Sequence, residues 1–301
     1  MTTVEGPFAA DPWPRAEVMM ADAACRRCRY NLRGLPFDGR CPECGTPVAY
    51  STRGDFLCFS EPAWVATLQR GTLLLLIGLL VLIAGAVVGS AERAPGHRLG
   101  MIGAVVGFAG HLFYVAGGWL LTTPDPGGLC EDQYGTSQRL IRFAVVVGLA
   151  DKIVGFARQT QAFPPAAYLA ITLLGSAATL VSLVGLFATL TYLSKLARRI
   201  PDDALADRAR TVMWGIGVPY GVIAVGTIVT VLMMLGSGQP RARGGRSPAL
   251  LAFGCVGGLS ALVLLVFGVM YLVLLGRLAR RFGEQAAIAR ATWAGATAGN
   301  T

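Results

Sequence analysis

Residues 141–157 read Ile141-Arg142-Phe143-Ala144-Val145-Val146-Val147-Gly148-Leu149-Ala150-Asp151-Lys152-Ile153-Val154-Gly155-Phe156-Ala157, and whether they cross a membrane decides the fold. The run is apolar, but it is short, starts beside Arg139 and carries Arg142, Asp151 and Lys152. Hydropathy alone suits a surface helix as well as a span. The segments on either side separate the two readings.

Five other runs are longer and cleaner: 72–90, 99–121, 166–194, 211–236 and 249–276. Four hold no charge, and 99–121 has only His111 as an ionisable group. Each reaches the roughly 20 residues that a helix needs to cross a hydrocarbon core about 30 Å thick. Composition agrees, with 54% hydrophobic and 14% charged residues, where a soluble chain carries about 25% charged.

Cytoplasmic flanks concentrate Lys and Arg. With six spans and both termini inside, 18 Lys and Arg fall on the cytoplasmic side and six outside, the latter being Arg93, Arg98, Arg158, Arg241, Arg243 and Arg246. Dropping 141–157 changes the count to 15 against 11 and moves the basic loop Lys195, Arg198, Arg199, Arg208 and Arg210 outside. Six spans are therefore expected, within a transmembrane domain over 71–276. The net charge of +9 follows from such a topology and selects no partner. Residues 1–24 are polar, contain Pro7, Pro12 and Pro14, and lack an apolar core for a cleavable signal, so they read as a disordered tail.

The N-terminal cysteines are the most specific signal. Cys25-Arg26-Arg27-Cys28 and Cys41-Pro42-Glu43-Cys44-Gly45 place two C-x2-C turns at a separation that suits one tetrahedral Zn²⁺. Gly45 fits a backbone needing positive φ, and Pro42 presets its turn. Tyr30 to Leu35 reads as a short strand and turn with Leu32 and Leu35 covering the metal. Two disulfides are the alternative, disfavoured by the reducing cytoplasm implied by the charge count. A module over 25–50 is too small for its own core and needs a metal to fold. Four thiolates leave no open position, so the zinc is expected to be structural.

The run CRRCRYNLRGLPFDGRCPECG (25–45) resembles the zinc ribbon that heads many bacterial multi-pass membrane proteins, whose usual form is close to CxxCGYDLRGL…CPECG. The close match covers about 20 residues, with only the layout of ribbon, elbow and membrane helices beyond. This chain departs at Arg29, where glycine is usual, and at Asn31, where aspartate is common. The resemblance implies the bacterial inner (cytoplasmic) membrane and this architecture, but no reaction.

The expected whole is an all-α membrane protein, a six-transmembrane-helix bundle with a small N-terminal zinc ribbon. Ser60-Glu61-Pro62 resembles a helix start, so 60–70 reads as an interfacial elbow with Trp64 at headgroup depth. Residues 277–301 read as a cytoplasmic basic helix and tail. Lys195-Leu196-Ala197-Arg198-Arg199 matches Arg277-Leu278-Ala279-Arg280-Arg281, which marks either a repeat of two hairpins or simply two basic stops. Gly85-Ala86-Val87-Val88-Gly89 and Gly103-Ala104-Val105-Val106-Gly107 are small-xxx-small motifs, read as contacts within the bundle or as a dimer interface. Cys58 reads as a packing thiol or an acylation site. Cys130 and Cys255 show no pairing pattern.

Catalytic motifs are absent, and no enzyme activity is expected: neither His97 nor His111 sits in H-E-x-x-H, and no phosphate loop occurs. The intramembrane polar residues are His111, Asp151 and Lys152. Asp151 and Lys152 are adjacent, about 100° apart on a helix, and are not expected to face each other. His111 reads as a neutral packing imidazole rather than a proton carrier. Two functions stay open. The first is a membrane-anchored interaction or regulatory module whose Arg26, Arg27, Arg29, Arg33 and Arg40 meet membrane lipid, a cytoplasmic protein or a second copy. Nucleic acid is the weaker partner, since only Tyr30 and Phe37 offer stacking surfaces. The second is a small-solute or ion transporter with Asp151, Lys152 and His111 along its path and the ribbon as a regulatory cap.

Overall fold

The computed structural model describes residues 17–90, 98–127, 131–160, 164–200, 202–236 and 248–298. Among these residues every regular element is helical: α1 (Ala49–Thr52), a 3-10 turn (Leu57–Phe59), α2 (Pro62–Ser90), α3 (Arg98–Leu121), α4 (Glu131–Thr160), α5 (Pro165–Arg198), α6 (Asp203–Gly236) and α7 (Pro248–Ala298). Each expected span falls inside one of the six long helices. Among the described residues, four stretches are long and apolar enough to cross a membrane: Pro62–Ser90, Leu99–Leu121, Ala170–Arg198 and Gly257–Gly295. Helix α4 is not among them, since Arg139, Arg142, Asp151 and Lys152 interrupt its apolar run. In α6 the side chains of the final turns lie outside the described residues. Residues expected as an elbow over 60–70 run without a break into α2.

The chain divides into two compact units. One comprises Met1–Val65, Pro124–Glu131 and Glu284–Thr301, and the other Ala66–Thr123 and Asp132–Gly283.

In the larger unit, α2 and α3 touch backbone to backbone. Gly71, Gly78 and Gly85 recur every seven residues on α2, and Gly103, Gly110 and Gly117 do so on α3. A Cβ at Gly78 would stand 2.6 Å from the Tyr114 nitrogen, and one at Gly117 would stand 2.6 Å from that of Leu75. No larger residue fits there without moving a helix. A seven-residue period keeps one stripe facing its partner when helices supercoil, and in lipid close approach at glycine replaces the missing hydrophobic drive. The shorter motifs are used only in part: Gly85 and Gly103 meet the opposing backbone, whereas a Cβ at Gly107 meets nothing within 4 Å.

Arg142 secures the end of α3. Its Nη2 donates to the Thr122 carbonyl at 2.8 Å and its Nε to the Thr122 hydroxyl at 3.0 Å, with the guanidinium 4.8 Å from the Trp119 ring centroid. These contacts satisfy carbonyls that every helix C-terminus leaves without partners. Large apolar side chains such as Leu80, Val87, Leu174, Leu259 and Leu265 are exposed along the helices, an arrangement suited to lipid as solvent.

The two basic blocks begin alike, with Leu196 and Ala197 buried as are Leu278 and Ala279. Beyond them the chain diverges. Helix α5 stops at Arg198 and α6 starts at Asp203, while α7 continues to Ala298. Ala204, Arg208 and Ala209, which match Ala286, Arg290 and Ala291 in sequence, are helical like them, but they open a new helix where the second set lies inside a continuous one.

Candidate metal centre

In the smaller unit, both C-x2-C turns are built the same way. The Cys25 amide donates to the Tyr30 carbonyl at 2.8 Å and the Cys41 amide to the Thr46 carbonyl at 2.8 Å. The residue after each second cysteine then returns its amide to the first: Arg29 to Cys25 and Gly45 to Cys41, each at 2.9 Å. That closure needs a left-handed backbone, and both residues have one, with φ of 64° at Arg29 and 69° at Gly45. Isolated bridges Ala24–Asn31 and Arg40–Pro47 flank the turns. The short strand expected from Tyr30 is no more than such a bridge among the described residues.

The turns converge on one point. The four sulfurs of Cys25, Cys28, Cys41 and Cys44 all lie within 4.8 Å of one another, with Cys25–Cys44 at 3.6 Å and Cys28–Cys41 at 3.5 Å. Tetrahedral thiolate bonds of about 2.3 Å put sulfurs about 3.8 Å apart, so the cluster has the dimensions of a four-thiolate metal site. All four are free cysteines. Burial pushes the Cys44 thiol up, but the Thr46 hydroxyl and amide and the thiols of Cys28 and Cys25 bring it down to about 6. Burial raises Cys25. Sulfurs crowded in this way resist carrying charge together, and a cation at their centre removes the conflict.

Residues expected in a tail contribute to this module. The amides of Met19, Leu32 and Phe37 bond across to the carbonyls of Leu35, Ala23 and Glu17. Met19 joins Cys25, Leu32, Cys41 and Val48 in the buried core. Residues 17–24 therefore belong to the module rather than to a tail, and residues 1–16 lie outside the described residues. One core methionine in a polar stretch carried too little periodicity to be read.

Arg26 corrects the expectation of five presented cations. It is buried, with Nη2 3.0 Å from Asp55 Oδ1 and Nη1 donating to the Phe56 carbonyl at 3.1 Å. A buried guanidinium must be paired and hydrogen-bonded, and this neck segment supplies both. Tyr50 stacks on Phe59 at 5.3 Å and donates to the Thr292 carbonyl at 3.0 Å, and Trp293 Nε1 donates to the Ser60 carbonyl at 3.0 Å. Cys58 is buried in the 3-10 turn, and burial raises its thiol, as a packing role requires. Arg27, Arg29, Arg33 and Arg40 remain exposed. Arg33 lies 3.6 Å from Asp22, and Arg40 donates to the Gly45 carbonyl at 3.3 Å.

The three polar residues expected within the spans do not share one place. Asp151 borders a cavity of about 390 Å³ between α4, α5 and α6, with Thr172, Gly175, Ser176, Thr179 and Tyr220. Lys152 and His111 are not among the lining residues described. Lys152 Nζ approaches Asp151 Oδ2 at 3.9 Å, a loose pairing that the sequence argument excluded; the flexible lysine stem spans the angle between neighbouring positions. His111 is buried against Gly148, with its ring stacked 6.0 Å from Tyr114 and its Nε2 without a hydrogen-bond partner among the described residues. The hydroxyl set escaped the sequence reading, although Thr172, Ser176 and Thr179 stand at helical spacing i, i+4, i+7.

Compared with known proteins, the chain matches no family model, no curated protein and no solved structure.

Proposed function

We propose that this protein is a six-span protein of the bacterial inner membrane whose cytoplasmic zinc ribbon is an interaction module for anionic surfaces. Zinc is the metal that four thiolates in a closed tetrahedral site suit best in a reducing compartment. The observation that carries the reading is Arg29. An arginine occupies a left-handed position that glycine fills without cost, with φ of 64°, and its side chain is exposed. A side chain kept in a strained backbone conformation points to a task for that residue besides closing the turn. Together with Arg27, Arg33 and Arg40 it forms a basic face, for which phosphate-rich headgroups at the membrane are the simplest match.

The test uses the full chain in nanodiscs, with and without anionic lipid. Hydrogen exchange over residues 17–48 should slow when anionic lipid is present, and the difference should vanish when Arg27, Arg29, Arg33 and Arg40 are changed to alanine. Equal exchange in both lipids would remove the headgroup reading. Periplasmic reporter fusions after residues 95, 160 and 242, active beside inactive fusions after 128 and 200, would support the six-span topology. Inverted results at 160, 200 and 242 together would reduce it to five.

A second reading, small-solute transport, is favoured by the cavity beside Asp151.

A further inference from the structure

We propose that the cavity between α4, α5 and α6 binds a small organic cation. Its volume of about 390 Å³ falls in the range of small-molecule sites, about 300–1,000 Å³, and far exceeds what a bare metal ion fills. Asp151 is the one charged group among its described lining residues. A carboxylate within an apolar helix bundle is costly unless it is paired. Lys152 pairs with it only partly: at 3.9 Å the ammonium is beyond hydrogen-bond distance from Oδ2. The other oxygen, Oδ1, lies 3.6 Å from where a Cβ at Gly175 would stand, so the missing side chain keeps that approach open.

The hydroxyls set the sign of the ligand. Ser176 Oγ donates its proton to the Thr172 carbonyl at 2.9 Å, and Thr179 Oγ1 donates to the Gly175 carbonyl at 2.8 Å. With those protons spent inside α5, both oxygens offer only lone pairs to a ligand. A carboxylate and two acceptor-only hydroxyls suit a group made of donors, and an ammonium is that group. An anion would meet no donor from Asp151, Ser176 or Thr179. Tyr220, on the turn of α6 that holds Pro219, adds a hydroxyl able to bond a polar substituent on the same ligand. Pro219 has no amide to donate, which loosens the helix beside the cavity.

The inference is independent of the ribbon. Equilibrium dialysis of the detergent-purified full chain tests it, with radiolabelled ethanolamine, choline and putrescine as probes. Glycerol serves as the neutral control, acetate as the anionic one and Na⁺ alone as the bare ion. Saturable binding of at least one amine is expected, weakened at least about tenfold by Asp151→Asn and abolished by Gly175→Leu, which fills the cavity. Thr179→Val, which keeps its shape but loses an acceptor, should weaken binding less. Asp202→Asn, which removes a carboxylate paired with Arg281 at 3.3 Å outside the cavity, should bind as the unaltered chain does. Absence of saturable amine binding, amine binding unchanged in both Asp151→Asn and Thr179→Val, or saturation by Na⁺, glycerol or acetate alone would each overturn the proposal.

Discussion

The two cysteine turns share one backbone and differ in how they meet its demands. In 41–46 glycine takes the left-handed position, while in 25–30 Arg29 takes it at φ 64°. Their amide closures agree, at 2.8 and 2.9 Å in each. A side chain in that conformation costs about 1–2 kcal/mol. The same four-sulfur geometry therefore goes with the same backbone in both turns, although only one of them carries the residue which that backbone favours. The turns differ in attachment too. Arg26 ties the first to Asp55, whereas the matching residue of the second, Pro42, is exposed.

Removing one ligand from either turn tests whether they are equal halves of one site. Cys28→Ser and Cys44→Ser should each drop metal content from about one per chain to near zero, because such modules fold on binding. Elemental analysis of the purified chain measures it, and hydrogen exchange over 17–48 should show protection lost in both. If one variant keeps its metal, the halves are unequal and the comparison breaks.

A smaller effect follows from exchanging glycine for a branched residue. Gly45→Val forces a stiff side chain into φ 69°, at a cost of about 1–2 kcal/mol. Competition with a chromophoric chelator should show metal held roughly 5–30-fold less tightly. Unchanged retention would mean that the turn relaxes to another backbone, and the matched geometry would then not be a requirement of the site.

Local features were legible in the sequence and distant ones were not. The four ligands follow from spacing and turn residues, both confined to a few positions. Six helices follow from long unbroken runs of apolar residues, since in lipid a helix satisfies its backbone within one segment. Arg26 was misread because its partners, Asp55 and Phe56, stand some 30 residues further on, and an arginine in a basic run is ordinarily a surface residue. The stripe of Gly71, Gly78 and Gly85 was readable as a seven-residue period but is masked by the shorter motif at Gly85 and Gly89. Asp151 stood out as a charge, yet the cavity beside it depends on α5 and α6 converging there, which no single segment records.

Arg29→Gly is the smallest change and the sharpest. Relief of left-handed strain gives back about 1–2 kcal/mol, and the extra freedom of glycine in the unfolded chain takes away about 0.5–1 kcal/mol. A net gain of about 0.5–1 kcal/mol should appear as a roughly two- to fivefold slower loss of metal to a chelator. The same variant, placed in nanodiscs with anionic lipid, should lose part of the lipid-dependent protection over 17–48, because one of four exposed arginines is gone. Better metal retention with weaker lipid response would separate the two demands on this position and assign the strain to binding. If both rise together, the side chain contributes nothing at the surface, and Arg29 is strain without a function. If retention falls instead, the arginine side chain itself supports the turn, and the symmetry of the two halves is only a symmetry of the backbone.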